Sequence, residues 1–228
     1  GSIIVGPTDD IDPATGKVYS DVSKIVYGIG MAADNGGHII NEGDIRISTN
    51  KSIGMYGAGA GTIVENTGRI LLDGSQATAT NKIQSLTGVY VDEGATFKNS
   101  GLITTTDSYA GRNGKINENV SGLTGVAVMN GSTLINEATG KILIDADNST
   151  GVVIRGKRDA AGNLVRNAVI KNYGEIRVRG KGGSAISWKD VSAAEIAELE
   201  RQINSKISTD PSGNEITQAS GTSKDYQG

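Results

Sequence analysis

Cysteine is absent from the 228 residues. That excludes a disulfide framework, a thiolate zinc site and thiol redox chemistry. Histidine occurs once, at His38, so no multi-histidine metal centre can be built. Phenylalanine and tryptophan occur once each, and aromatics make up 4% of the chain. A compact globular core normally uses more, which favours an architecture of β-branched residues and glycine. None of the three prolines lies between Pro13 and Pro211. Such a gap fits strands whose N–H groups are paired on both sides. No apolar run reaches the ~18 residues of a membrane-spanning helix. A basic surplus is missing too: the net charge is −3, against a nucleic-acid binder.

Glycine, by contrast, is abundant at 33 residues, about twice the usual ~7% share. It does not fall at every third position, so collagen is excluded. The opening Gly1-Ser2 reads as a cloning scar, and the chain is expected to be a piece of a longer protein.

One cassette recurs along the chain. It begins small–apolar–x–apolar at Gly28–Met31, Ser52–Met55, Gly88–Val91, Gly125–Val128, Gly151–Ile154 and Ala185–Trp188. An apolar–x–Asn element follows each of the first five, then a glycine-containing turn, then apolar–x–apolar. The asparagines are Asn41, Asn66, Asn99, Asn136 and Asn172. Within a cassette the apolar residues alternate, the period of a strand with one buried face. Each asparagine shares the inward parity, so the five are expected to stack as a hydrogen-bonded ladder. Gly43, Gly68, Gly101 and Gly174 are expected to supply positive φ in the turn that follows.

Successive cassettes begin 24, 36, 37, 26 and 34 residues apart, counted from Ile29, Ile53, Val89, Val126, Val152 and Ile186. The extra length lies in polar, loop-like inserts at 73–87, 106–124 and 155–168. Only a solenoid returns to register after such inserts, because each coil contacts only its neighbours. The expected fold is therefore all-β: a right-handed parallel β-helix of about five to six coils with loop insertions. One short C-terminal helix is expected over 194–206, opened by the capping box Ser192–Glu195 and carrying Ile196, Leu199 and Ile203 on one stripe. Turns are expected at 159–163 and 210–214. The chain divides into 1–24 (tag remnant and irregular lead-in), 25–188 (coils) and 189–228 (extruded loop with helix and polar tail).

The segments INEGDIRI, ENTGRILL, KNSGLITT and KNYGEIRV, following GVYV- or GMYGAG-type strands, carry a resemblance. Over roughly 25–188 the chain resembles passenger domains of type V autotransporters, in particular the very large fusobacterial outer-membrane adhesins of the RadD-like group. The resemblance implies export, display at the bacterial cell surface from an outer-membrane barrel, and attachment to host cells or partner bacteria. It carries over no catalytic residues.

Chemistry is sparse. His38 reads as an exposed turn residue. Asp145 and Asp147 share parity after a strand, and Asp73, Asp92 and Glu93 sit at other coil ends; all read as solvated turn carboxylates rather than a hydrolytic pair. The glycine-rich 54–61 stretch leads into strand-like Ile63–Asn66 and not a helix, so it reads as a turn and not a phosphate loop. Tyr56, Tyr90 and Tyr173 read as isolated surface aromatics. No catalytic residue, metal or cofactor is expected.

One segment stands out. Residues 155–181 hold Arg155, Lys157, Arg158, Arg166, Lys171, Arg177, Arg179 and Lys181 against Asp159 and Glu175. Parity turns Arg177 and Arg179 to solvent. This basic set is the candidate ligand surface for an anionic glycan or acidic protein receptor. The function expected is that of a non-enzymatic, monomeric adhesin passenger fragment, with a host-cell or bacterial receptor, no nucleic acid and no membrane insertion of its own. The alternatives are a β-helical carbohydrate-active enzyme or tailspike-like module, and a purely structural spacer.

Overall fold

The computed structural model describes residues 1–6, 14–15, 28–106, 117–188 and 207–210. The described strands are numbered in chain order. β1 (Ser2–Val5) precedes the coils. β2 (Ile29–Asp34), β3 (His38–Asn41) and β4 (Asp44–Ile47) make the first coil. β5 (Ile53–Ala58), β6 (Ile63–Asn66) and β7 (Arg69–Asp73) make the second. After β8 (Ile83–Gln84), the third coil is β9 (Thr87–Asp92), β10 (Thr96–Asn99) and β11 (Leu102–Thr106). After β12 (Val120–Ser121), the fourth is β13 (Thr124–Val128), β14 (Thr133–Asn136) and β15 (Lys141–Asp145). The fifth runs β16 (Thr150–Ile154), a hairpin of β17 (Lys157–Arg158) and β18 (Leu164–Arg166), then β19 (Val169–Asn172) and β20 (Glu175–Arg179). β21 (Ser184–Trp188) and β22 (Ile207–Asp210) follow.

Corresponding strands of successive coils pair in parallel and form three sheets. The first sheet is β2-β5-β9-β13-β16-β21, the second β3-β6-β10-β14-β19, and the third β1-β4-β7-β11-β15-β20-β22. This is a parallel β-helix, as the cassette predicts. The expected helix at 194–206 and the residues beyond Asp210 in the expected 210–214 turn lie outside the described residues. Ser2–Val5, within the expected irregular lead-in, is a strand in register with β4, and Ile207–Asp210 extends the third sheet at its other end.

Register explains the core. Ile3, Ile45, Ile70, Ile103, Ile142, Ile176 and Ile207 occupy one position of the third sheet, one per strand. The five central ones are fully buried. Stacked coils lie about 4.8 Å apart, so identical β-branched side chains nest on one another. Phe97, between Val64 and Leu134 on the second sheet, is also fully buried. On the first sheet Met55 pairs with Val89, so the first two coils enter the cassette two residues later than the sequence alignment places them. A two-residue shift preserves parity, which is why the inward face is unaffected.

Two inserts are more ordered than their polar composition suggests. β8 from the 73–87 insert pairs in parallel with β12 from the 106–124 insert, and Ser121 bridges to Asp147. Ile83 and Val120 of these strands, and Leu86 and Leu123 just after them, are buried. The 155–168 insert is an antiparallel hairpin, as its Asp159–Asn163 turn predicts.

Candidate functional site

The second and third sheets meet at a corner formed by the asparagines. Asn41 Nδ2 donates to Asn66 Oδ1 at 2.8 Å and Asn66 to Asn99 at 2.9 Å. Asn99 donates to Asn136 at 2.8 Å, and Asn136 to Asn172 at 2.7 Å. All five are buried. The predicted ladder is present, and it satisfies amides that would each cost about 1–3 kcal/mol if left bare.

The glycines beside it have a different role from the one expected. Gly43, Gly68, Gly101 and Gly174 are not among the positive-φ residues. They are required by close approach instead. A Cβ on Gly101 would stand 2.1 Å from the Gly68 carbonyl oxygen, and one on Gly68 2.1 Å from that of Gly43. Those carbonyls accept the inter-coil bonds Leu102 N→Gly68 O and Arg69 N→Gly43 O.

A depression of about 190 Å³ opens beside this corner. Its lining is Glu65, Asn66, Thr67, Lys98, Ser100 and Glu137. Glu65 and Lys98 project outward from neighbouring strands, with Lys98 Nζ 3.2 Å from Glu65 Oε1. The same oxygen lies 3.3 Å from His38 Nε2. His38 thus opens β3 beside a carboxylate rather than sitting in a turn. Thr67, Ser100 and Glu137 each follow a ladder asparagine, so register aligns them along the corner. Tyr173 is next in that row and is 53% exposed. Apart from the ladder residue Asn66, none of the depression's residues stands out in the sequence. The available signal was the position directly after each inward asparagine.

The first and second sheets meet at the corner that carries the hairpin. The hairpin lies back over the equivalent turns of the two preceding coils. Lys157 Nζ pairs with Glu93 Oε2. Arg166 Nη1 donates to the Glu93 carbonyl at 3.3 Å, and its chain runs over Gly94 and Gly131. A Cβ on Gly131 would stand 2.4 Å from Arg166 Cγ and Cδ, so glycine there leaves room for the arginine. The hairpin turn is held by Asp159, whose Oδ1 accepts from Ala161 N and Asn163 N, both at 2.9 Å. The hydrogen bonds from Asn163 hold the Asp159 carboxyl below the usual carboxylate range.

The candidate basic set is divided by this geometry. Arg155, Lys157, Arg158 and Arg166 come together on and beside the hairpin. Lys171 lies on the second sheet, Arg177 and Arg179 on the third, and Lys181 at the corner after it. Arg179 does not face solvent. It is 7% exposed and forms a two-pronged pair with Asp145, Nε to Oδ1 at 2.7 Å and Nη2 to Oδ2 at 2.6 Å. Both residues end their strands, where the chain turns the corner and alternation no longer assigns a face.

The acidic candidates are likewise engaged. Asp145 is buried in that ion pair rather than solvated. Asp73 is also buried; its Oδ1 accepts from Ser75 N and its Oδ2 lies 3.4 Å from Arg46. Asp92 accepts from Asn130 Nδ2 at 2.7 Å and from Glu93 N at 2.8 Å. Asp147 accepts from Lys181 N at 2.9 Å. Among the described residues no three His, Asp or Glu side chains converge on a metal position. Of the glycine-rich 54–61 stretch read as a turn, residues 54–58 belong to strand β5 and only the end turns, at 59–62, before β6. Tyr56 and Tyr90 are not isolated: they are register neighbours, stacked with ring centroids 5.9 Å apart and planes inclined by 24°. Burial, helped by the Asp92 carboxylate, pushes both hydroxyl pKa values up.

Residues 1–101 match the family model of the BigA third pectate lyase-like domain. The match supports an autotransporter passenger-like domain of an exported, surface-associated bacterial protein. No curated protein and no solved structure matches the chain.

Proposed function

We propose that this chain is a length of adhesin passenger, of the RadD-like kind, that attaches a bacterium to host cells or partner bacteria. It acts as a monomer and without catalysis, displayed outside the outer membrane. The observation that carries this reading is the hairpin. The three sheets continue unbroken beneath it, so the hairpin serves no coil-to-coil pairing. Yet it is held in place by Glu93 and presents four cations on one corner. A charged loop on a rigid scaffold suits recognition of an anionic partner. The engagement of Asp73, Asp92, Asp145 and Asp147 in structural hydrogen bonds favours a binding role over hydrolysis.

Beads coated with the chain test this by attachment to host cells and bacteria. The control variant replaces Arg155, Lys157, Arg158 and Arg166 with serine and leaves the buried Arg179 intact. Saturable attachment that the variant loses supports the reading. Attachment no greater than that of bare beads means the chain is a spacer.

A further inference from the structure

We infer that the depression at the asparagine corner is a binding site for one pyranose unit of a neutral glycan. Its volume, about 190 Å³, lies below the ~300–1,000 Å³ of pockets for drug-sized ligands, so the occupant is small. Its side chains are all polar, which argues against a lipid or an aromatic ring. Donors and acceptors alternate along it: the Glu65 carboxylate, the Lys98 ammonium, the Thr67 and Ser100 hydroxyls and the Glu137 carboxylate. The Thr67 hydroxyl donates to the Asn41 carbonyl at 3.3 Å and keeps its acceptor capacity, and the other groups have capacity unspent. Lys98 makes one side-chain bond, to the Glu65 oxygen that His38 also approaches. The Ser100 hydroxyl and the Glu137 carboxylate have no partner among the described residues.

A ligand that uses such a lining must carry hydroxyls around a compact ring, each able to donate and accept. A pyranose does so. The Lys98 ammonium, 3.2 Å from Glu65, disfavours a metal ion, and two carboxylates (Glu65 and Glu137) against one ammonium in the lining disfavour an acidic sugar. Successive coils supply the walls at a spacing of about 4.8 Å. One coil beyond Glu137, the exposed ring of Tyr173 continues the row and offers a stacking face to a second sugar. The inference deepens the attachment reading by giving its receptor a chemical class, and it places that receptor on a different corner from the hairpin.

The test is titration of the whole 228-residue chain, ¹⁵N-labelled, with glucose, galactose, N-acetylglucosamine and galacturonate. A small open site of this kind has a dissociation constant on the order of millimolar. The expected result is saturable shifts at the amides of Thr67, Ser100 and Glu137 for at least one neutral sugar, with galacturonate weaker. Ser100→Ala with Glu137→Gln should weaken binding about tenfold while the remaining spectrum stays unchanged. Tyr173→Ala should weaken a disaccharide of the same sugar and leave the monosaccharide alone. No saturable shift from any of the four, or shifts that survive the double substitution, overturn the site. Sugar binding without bead attachment upholds the site and sinks the adhesin reading. Bead attachment without sugar binding does the reverse.

Discussion

Two corners of the same solenoid are built on opposite terms. At the asparagine corner, two residues link second-sheet to third-sheet strand in four of the five coils. Each link repeats the same ladder bond and the same glycine contact. At the corner between first and second sheets, the link ranges from three residues to the 14 of the hairpin segment 155–168. There the cross-coil bonds are made by differing residues: Gly36 N donates to Thr62 Oγ1, Gly94 N to Ser132 Oγ and Asn130 Nδ2 to Asp92. The difference shows where this fold tolerates elaboration: where the coils are not tied by an unbroken amide ladder and a repeated glycine contact.

That contrast can be broken most forcefully at Gly101. Alanine there must displace the Gly68 carbonyl, with overpacking of about 1–3 kcal/mol and loss of an inter-coil hydrogen bond. We expect a stability loss of about 3 kcal/mol in urea unfolding. Gly36→Ala at the permissive corner is the matched control. It meets nothing within 4 Å and bears only a positive-φ penalty of about 1 kcal/mol. Equal losses would erase the distinction between the corners.

Asn99→Ala comes next. It removes the acceptor of Asn66 and the donor to Asn136, and should cost about 2 kcal/mol in the same measurement. Asn41→Ala, at the end of the ladder, should cost less. At the hairpin corner, Glu93→Gln breaks only an exposed ion pair, and its effect should stay within about 1 kcal/mol. A larger loss would mean that the hairpin braces the coils beneath it.

The smallest effect is a dependence on pH. The Asp159 carboxyl is held below its usual pKa by bonds that need its charge. Hairpin order should therefore be fully present above the ordinary carboxylate pKa and fade as pH falls through the lowered one. Amide shifts of Ala161 and Asn163 followed by titration would report it. Asp159→Asn should flatten that titration and leave the ladder amides unmoved.

The parts of this architecture legible in the sequence are those governed by a period of two. Asn66 and Asn99 share parity with Val64 and Phe97, and that alone turned them inward. What a single coil cannot display is its neighbour. The reason for Gly68 and Gly101 is a carbonyl one coil away. The ion pair of Asp145 and Arg179 likewise joins residues on adjacent coils. It also sits where Ile144 and Asp145, and then Val178 and Arg179, are buried in succession. Alternation stops there, and a reading based on alternation pointed Arg179 the wrong way. The candidate sugar site draws Glu65, Lys98 and Glu137 from three coils whose separation along the chain depends on insert length. Only the pairing of Asn66 with Asn99 and of Asn99 with Asn136 brings them onto one surface.

The ladder also has a sense of direction. The four amide-to-amide bonds of the ladder run the same way, from the Asn41 coil towards the Asn172 coil. Five side-chain dipoles therefore add head to tail, and each bond polarises the next. A coil laid down in the opposite sense would set donor against donor. Each coil thus offers an oriented amide to the one that follows, and the column carries a net side-chain dipole along the axis of the coils.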